Sequence, residues 1–303
     1  ALEDAEQYNE LLASWDEKAA AMTDQIFADS VAAYKKWLAD GEPGAKRRAP
    51  RDSRRSNHRP ANLFNGVLHP IIGYGIRGAI WYQGEANAVR AYQYRSLFPL
   101  MIKTWRQHWR QGDFPFYWVQ LADFKQEAPE PRDSAWAELR EAQTMTLSLA
   151  NTGQAVIIDA GEGRDIHPRD KETVANRLAR IALARDYGVA MAWQSPSYDS
   201  MRIDGDAISI QLKHVSAGGL HTFDVYEVMG FEIAGEDQKF FWAEAKLEGK
   251  NKVTVSSPQV PKPVAVRYAW GDNPVVNLQD RNGLPVTPFR TDDWPGVTAN
   301  NVK

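Results

Sequence analysis

Three short apolar runs alternate with helix-like stretches between residues 77 and 182, and this alternation constrains the possible fold most strongly. The runs cover residues 77–82, 116–121 and 154–159, and each is followed by apolar residues at helical spacing. Strands that are apolar on both faces and separated by helices are typical of a parallel sheet covered on both sides. The sequence therefore predicts an α/β domain with three parallel strands near these positions.

The helical pattern is clearest in four stretches. Residues 6–39 predict one uninterrupted helix, because apolar residues recur at helical spacing without Pro or Gly. Residues 89–109 predict a second helix, in which Pro99 should cause a kink or a break. Residues 135–149 predict a third, and Asp170 is placed to cap a fourth.

The pattern changes after Gly188. From residue 201 to residue 268 short alternating runs are separated by turn signals such as Asp204-Gly205 and Gly218-Gly219. This pattern is typical of antiparallel β structure, in a small module that resembles a sandwich. We therefore expect two domains, an α/β portion over residues 1–195 and an antiparallel β module over residues 196–303.

Composition excludes several classes of protein. The net charge is −3, from 36 Lys and Arg against 39 Asp and Glu, so we expect no nucleic-acid partner, and the basic segment 46–59 is interpreted as a solvated loop. No apolar run approaches the ~18–20 residues of a membrane span. The chain has 0 Cys, and its six His are scattered without an HExxH motif. Neither glycine-rich phosphate motif is present, so no metal or other cofactor is predicted.

Two segments carry the chemistry of a hydrolase. Asp165 and His167 lie on a loop after the third predicted strand, where an Asp can orient one imidazole nitrogen while the other acts as a base. Gln83, Glu85 and Asn87 lie where the first predicted strand ends and a helix begins, a position that favours binding of an oxyanion. However, none of the 21 Gly residues has a Ser two positions later, so the usual turn for a serine nucleophile is missing.

Together the two segments resemble the sialate O-acetylesterase-like family of SGNH hydrolases, a group of carbohydrate acetylesterases. The matching blocks extend over most of the chain and cover residues 62–70, 76–88, 114–122, 165–171, 266–270 and 284–292. The resemblance implies a three-layer SGNH-hydrolase-like parallel sheet, of which this chain holds a part. It also implies hydrolysis of acetyl esters on carbohydrates, without a cofactor.

The resemblance assigns roles to individual residues. His167 is implied to be the base that activates a serine, with Asp165 as its orienting carboxylate. Gln83 is implied to lend its side-chain amide to the oxyanion hole. The remaining residues implied to hold this loop or contact the substrate are Glu85, Asn87 and Asn65.

The family's nucleophile block, Gly-Gln-Ser-Asn, and its Trp-Gly-Gly-Thr stretch do not occur in this sequence. We therefore expect the serine in a segment upstream of Ala1, which would act as an N-terminal partner fragment of the same protein. A signal peptide is expected before it, and hence a periplasmic or extracellular location in a bacterium, in polysaccharide degradation. Three serines, Ser195, Ser197 and Ser200, follow the last predicted helix but lack a Gly turn.

Two alternatives remain at the level of sequence. The chain could be a non-catalytic carbohydrate-binding module that retains the esterase fold. It could also be a different hydrolase that uses a carboxylate pair, Asp159 or Glu162 with Asp165. The expected ligand is an acetylated carbohydrate substrate, and no membrane partner is expected.

Overall fold

A computed structural model describes residues 2–57 and 59–301, with side chains from residue 9 onward. Contacts divide the chain into two compact units, Ala1–Gly75 and Ile76–Lys303, which are described separately. The domain boundary expected at residue 195 stays a prediction. In the described part of the chain, every helix is too short or too polar to cross a membrane.

The described residues of the first unit form two α-helices, α1 (Leu2–Ala21) and α2 (Asp24–Ala39), and three short helical turns. The prediction of one uninterrupted helix over residues 6–39 is therefore wrong. The interruption falls at Thr23, whose Oγ1 accepts a hydrogen bond from the backbone N–H of Ile26 at 3.2 Å and so caps α2. The basic segment 46–59 is mostly loop, and Arg54 forms ion pairs with Asp24 and Asp52 there.

The second unit begins with a three-stranded sheet and its helices. The strands are β1 (Ala79–Trp81), β2 (Phe116–Val119) and β3 (Thr152–Ala155), and the helices are α3 (Ala91–Trp109), α4 (Ala135–Met145) and α5 (Lys171–Asp186). The strand order is β1-β2-β3, and both pairs are parallel, as predicted. Asp170 caps α5, because its Oδ1 accepts the backbone N–H of Thr173 at 2.9 Å.

Several predicted boundaries need correction. The third strand was expected at residues 154–159, but its ladder with β2 covers only Thr152–Ala155. Val156 and Ile158 are buried beyond the ladder because they pack into the core rather than pair with a strand. The helix expected over residues 135–149 ends at Met145, and Pro99 lies inside α3 without ending it.

In the part of the chain that the structure describes, ten further strands follow α5. They are β4 (Ser197–Asp204), β5 (Ala207–Lys213), β6 (Leu220–Thr222), β7 (Phe231–Ala234), β8 (Phe240–Trp242), β9 (Glu244–Glu248), β10 (Lys252–Ser256), β11 (Ala265–Tyr268), β12 (Leu278–Asp280) and β13 (Phe289–Arg290). They form sheets of order β4-β5-β10-β9, β13-β11-β7-β8 and β12-β6, all antiparallel as expected. Side chains from the two four-stranded sheets share one apolar core, which also contains Val156 and Ile158.

The candidate site lies at the carboxyl edge of the parallel sheet. β1 leads into the turn that contains Gln83, and β3 leads toward the loop that contains His167. Because the strands are parallel, both connections leave the sheet at the same edge.

Candidate active site

The two predicted segments meet in a cavity of about 320 Å³. Its lining consists of Tyr82, Gln83, Glu85, Ala86, Ile166, His167, Pro168 and Lys171. The structure thus brings together three of the six residues predicted for the site, and Asn87 and Asp165 contact them directly. The sixth, Asn65, is an exposed residue of the helical turn Phe64–Leu68 in the first unit.

Hydrogen bonds hold the side chain of Gln83 in a fixed orientation. Its Nε2 donates to Asn87 Oδ1 at 2.7 Å, and its Oε1 accepts from the hydroxyl of Tyr94 at 3.0 Å. Its backbone carbonyl accepts from Gln143 Nε2 at 3.2 Å. An amide nitrogen carries two hydrogens and Asn87 accepts one, so the other N–H can be offered to a ligand.

The turn after Gln83 depends on a close approach of the backbone to α4. A Cβ atom at Gly84 would lie 2.8 Å from Leu139 Cδ2, which only glycine avoids. The next residues form a short 3₁₀ helix, Glu85–Arg90, before α3 begins at Ala91. Glu85 therefore faces the cavity from the first turn of that helix.

His167 and Asp165 are neighbours, but their side chains are not hydrogen-bonded. The distance from His167 Nδ1 to Asp165 Oδ1 is 3.6 Å, which is beyond hydrogen-bond range. Instead, Asp165 Oδ1 accepts the backbone N–H of His167 at 2.9 Å, which folds the loop into a tight turn. The side chain of His167 is 85% exposed, so its imidazole can reach a further group at the mouth of the cavity.

The loop that carries His167 is held at both ends. The guanidinium of Arg169 donates to both carboxylate oxygens of Glu162 at 2.7–3.0 Å, and this pairing lowers the pKa of Glu162 to about 2. At the other end, Asp123 Oδ1 accepts the backbone N–H of Gly161 at 2.7 Å. Burial raises the pKa of Asp123 above its usual value. These contacts fix where His167 lies relative to the sheet.

Tyr82 and Lys171 form the remaining polar wall of the cavity. Burial, with the charges of Glu85 and Asp123, raises the pKa of Tyr82 to about 12, so its hydroxyl stays protonated at neutral pH. The ammonium of Lys171 lies 5.3 Å from the centre of the Tyr82 ring, a cation–π distance. The wall therefore combines an aromatic surface with a hydrogen-bond donor.

Two of the carboxylates considered for the alternative hydrolase mechanism already form ion pairs. Asp159 forms two hydrogen bonds with the buried guanidinium of Arg177, at 2.5 and 2.7 Å. Glu162 is paired with Arg169, as described above. Because both carboxylates serve in ion pairs, the geometry does not favour either as a partner of Asp165 in acid–base catalysis.

The serines near residue 195 lie elsewhere. Ser195 and Ser197 line a different cavity, of about 720 Å³, together with His214. Ser200 is exposed on β4. Among the described residues, no serine lines the cavity that contains His167, and no cluster of three or more His, Asp or Glu could hold a metal ion.

Two residues that support the site gave no signal in the sequence. Gln143 is fully buried in α4, where its Oε1 also accepts the backbone N–H of Leu121 at 3.0 Å. Tyr94 in α3 is buried beneath Gln83. A Gln in an amphipathic helix is normally interpreted as a surface residue, and a Tyr on an apolar stripe as a core residue. The sequence pattern alone therefore could not identify either as part of the site.

Comparisons with known proteins agree on one family. Residues 65–191 match the family described as carbohydrate esterase, sialic acid-specific acetylesterase. The sialate O-acetylesterase of Homo sapiens is 29% identical over 84% of this chain and 54% of its own length, and that of Mus musculus is 37% identical over 75% and 46%.

A solved structure points the same way. A carbohydrate acetylesterase from Xanthomonas citri is 43% identical, with a TM-score of 0.74 over 78% of this chain and 55% of that chain. The chain spans about half the length of the curated relatives it matches. On these comparisons, the chain is similar to acetylesterases over most of its length, and its residues 65–191 belong to the sialic acid-specific acetylesterase family of carbohydrate esterases.

Proposed function

We propose that this chain provides the base and part of the oxyanion hole of a carbohydrate O-acetylesterase. The observation that carries the proposal is the single cavity in which the amide of Gln83 and the imidazole of His167 both take part. Membership of a family of acetylesterases supports the same reaction. In this proposal the parallel strands are part of a three-layer SGNH-like sheet.

The proposed reaction is acyl transfer through a serine. His167 Nε2 removes the proton from the serine hydroxyl, whose oxygen attacks the acetyl carbonyl and forms a tetrahedral oxyanion. The available N–H of Gln83 stabilises that oxyanion. The imidazolium then returns its proton to the departing sugar oxygen, and water hydrolyses the acetyl-serine by the same steps to release acetate.

The serine would come from a segment upstream of Ala1, which acts as a partner of this chain. Two observations support a partner at this edge of the sheet. β1 is an edge strand, and Ile80 at its centre is 72% exposed although the strand is apolar throughout. We propose that the segment adds to this edge, and that its arrival brings Nδ1 of His167 into contact with Asp165.

The proposed substrate is an acetylated sugar, and Glu85 and Asn87 are proposed to hold the loop or contact it. For Asn65, in the first unit, contact with substrate stays a prediction. A periplasmic or extracellular site of action stays part of the proposal. No nucleic acid, membrane or cofactor enters the reaction.

A second candidate is a carbohydrate-binding module without catalytic activity. It is favoured by one observation, that none of the eight described residues around the cavity is a serine. The two candidates differ in a simple way. An esterase releases acetate when the upstream segment is present, whereas a binding module retains the intact acetyl sugar.

The test measures acetate release from acetylated oligosaccharides and from p-nitrophenyl acetate by the complete protein with its upstream segment. We expect turnover, and we expect His167→Ala to lower kcat by about 100- to 10,000-fold, the usual contribution of a general base. His108→Ala, at an exposed position of α3, is the matched control and should leave turnover unchanged. Binding of the sugar without acetate release would support the non-catalytic module instead.

A further inference from the structure

Another cavity, distinct from the two described above, lies in the β module on the sheet β13-β11-β7-β8 and has a volume of about 440 Å³. Register places Trp242, Glu232 and Arg267 in one row across β8, β7 and β11, so their side chains share a face. The loop of residues 130–133 forms the opposite wall. A volume of this size falls within the ~300–1,000 Å³ typical of small-molecule sites.

Trp242 provides a rigid aromatic surface. Its indole is 43% exposed, and its Nε1 donates to the backbone carbonyl of Pro129 at 2.9 Å. This hydrogen bond fixes the orientation of a ring that still faces solvent. A flat apolar surface of this kind can stack against the C–H face of a sugar ring.

Glu232 provides hydrogen-bonding capacity that the described residues do not use. Its side chain lines the cavity and is 1% exposed, and neither carboxyl oxygen has a hydrogen-bond partner among the described residues. The cross-strand neighbour Arg267 does not satisfy it, because the hydrogen bonds of Arg267 go to Asp292 and Asp133 instead. Buried polar groups in folded proteins are almost always hydrogen-bonded, so Glu232 has unused capacity for a hydroxyl group of a ligand or for water.

An adjoining cavity of about 360 Å³ extends the site. It shares Trp242 and residues 130–132 with the 440 Å³ cavity and adds Trp270, Asp272 and Asn273. Its apolar and polar groups are mixed, which suits a ligand with both C–H faces and hydroxyls. We name the two cavities together the Trp242 cleft.

The Trp242 cleft adjoins the loop that leads to His167. Asn273 Nδ2 donates to the backbone carbonyl of Lys125 at 2.8 Å. A Cβ atom at Gly163 would lie 2.8 Å from Asn273 Nδ2, so the loop that carries Asp165 packs directly against the rim of the cleft. A ligand in the cleft would therefore lie next to the segment that positions the proposed base.

We propose that the Trp242 cleft binds consecutive residues of a neutral oligosaccharide. The inference deepens the proposed function and rests on it in one respect, that the bound chain is the one whose acetyl ester reaches His167. It implies that the substrate is an oligo- or polysaccharide rather than a free monosaccharide. Four carboxyl groups and three cations line the cleft, and this small difference in charge favours a neutral chain over a strongly charged one.

The test uses sugars that carry no acetyl group, so that binding is measured apart from catalysis. The 303-residue chain is titrated by calorimetry with neutral hexasaccharides of xylose, glucose, mannose and galactose, and with the matching disaccharides. We expect saturable binding of at least one hexasaccharide, and weaker binding of its disaccharide. Trp242→Ala should weaken that binding by about tenfold, the loss expected for one aromatic contact.

Two further variants and a control complete the design. Glu232→Leu removes both carboxyl oxygens and should also weaken binding. If the alanine variant does not fold, Trp242→Phe replaces it, and the smaller ring should weaken binding to a lesser degree. Tyr226→Ala removes an almost fully exposed aromatic of the same module outside the cleft and should change nothing. Absence of binding across the panel, or equal binding by wild type and the cleft variants, would overturn the proposal, whether or not the complete protein releases acetate.

Discussion

Asp165 accepts a hydrogen bond from the backbone of His167 rather than from its imidazole. A carboxylate with two oxygens can do both, since one oxygen can hold the turn while the other orients Nδ1. The 3.6 Å separation between the side chains is the gap that assembly of the full site would have to close. Asp165 is therefore proposed to have two roles, one in the fold of the loop and one in the proton transfer.

Substitutions at Asp165 can separate these roles. In the complete protein, Asp165→Asn keeps an oxygen that can accept the N–H of His167, so the turn should survive while the negative charge is lost. We expect a loss of kcat smaller than the about 100- to 10,000-fold loss expected for His167→Ala. Asp165→Ala loses both functions and should be more damaging than Asp165→Asn in steady-state assays of acetate release. Equal activity of Asp165→Asn and wild type would argue against any role for the charge.

Glu232 makes the stability of the chain depend on pH. Burial raises its pKa to about 8, whereas the unfolded chain has the ordinary value of about 4.3. Between these values the folded state binds one proton more than the unfolded state, so the free energy of unfolding falls as pH rises. Glu232→Gln removes that proton exchange, because a neutral amide replaces the carboxyl.

We therefore expect the melting temperature of Glu232→Gln to exceed that of wild type by an amount that grows from pH 5 to pH 8. Thermal melts at intervals across this range provide the measurement. Glu236→Gln, at an exposed position just after β7, is the control and should follow wild type at each pH. Parallel curves for wild type and Glu232→Gln would contradict the raised pKa.

The loop between β3 and α5 shows how an element can depend on one backbone approach. A Cβ atom at Gly161 would overlap the carbonyl oxygen of Asp123, which is backbone and cannot move aside easily. Gly161→Ala should therefore displace the loop that carries Asp165 and His167. We expect a loss of stability of about 1–3 kcal/mol, the usual cost of overpacking, and a loss of acetate release by the complete protein.

Gly75→Ala is the matched control for that experiment. A Cβ atom at Gly75 would meet no described atom within 4 Å, and its backbone does not require glycine. Melting temperature and acetate release should both stay at the wild-type values. If Gly161→Ala behaved like Gly75→Ala, the close contact with Asp123 would not be what holds the loop.

The same elements show what could be predicted from the sequence and what could not. The hydrophobic pattern identified the three described parallel strands, because a strand covered on both faces needs apolar residues along its whole length. It misplaced the third strand because Val156 and Ile158 are buried without pairing, and pairing depends on where the neighbouring strand ends. It also missed the interruption at Thr23, since a cap needs only one hydroxyl and leaves the apolar pattern intact.

The site follows a similar division. The residues that line the cavity were predicted from a sequence motif, and Gln83 and His167 do line one cavity. The residues that hold them in place lie on other elements of the fold, as Gln143 does on α4. Such contacts between elements leave no local pattern in the sequence. The catalytic roles of Gln83 and His167 stay predictions.

At the scale of the whole molecule, the open edge of the parallel sheet exposes an apolar side chain. Ile80 at the centre of β1 is 72% exposed, and Val89, Leu97 and Leu100 in the helical segments that follow are exposed as well. Exposed apolar side chains at a strand edge mark a site of association or of aggregation. The upstream segment proposed above would cover this edge.

We expect the 303-residue chain alone to hydrolyse p-nitrophenyl acetate no faster than free imidazole does, because no serine lines the described cavity. Co-expression with the upstream segment should restore activity and raise the melting temperature together, since a partner that binds only the folded form stabilises it. Ile80→Lys, which places a charge on the open edge, should weaken both effects, whereas Tyr226→Ala should weaken neither. Activity gained without a rise in melting temperature would mean that the segment supplies a serine without adding to the sheet. Robust esterase activity in the chain alone would mean that one of its own side chains is the nucleophile, and the division of the site between two segments would then be wrong.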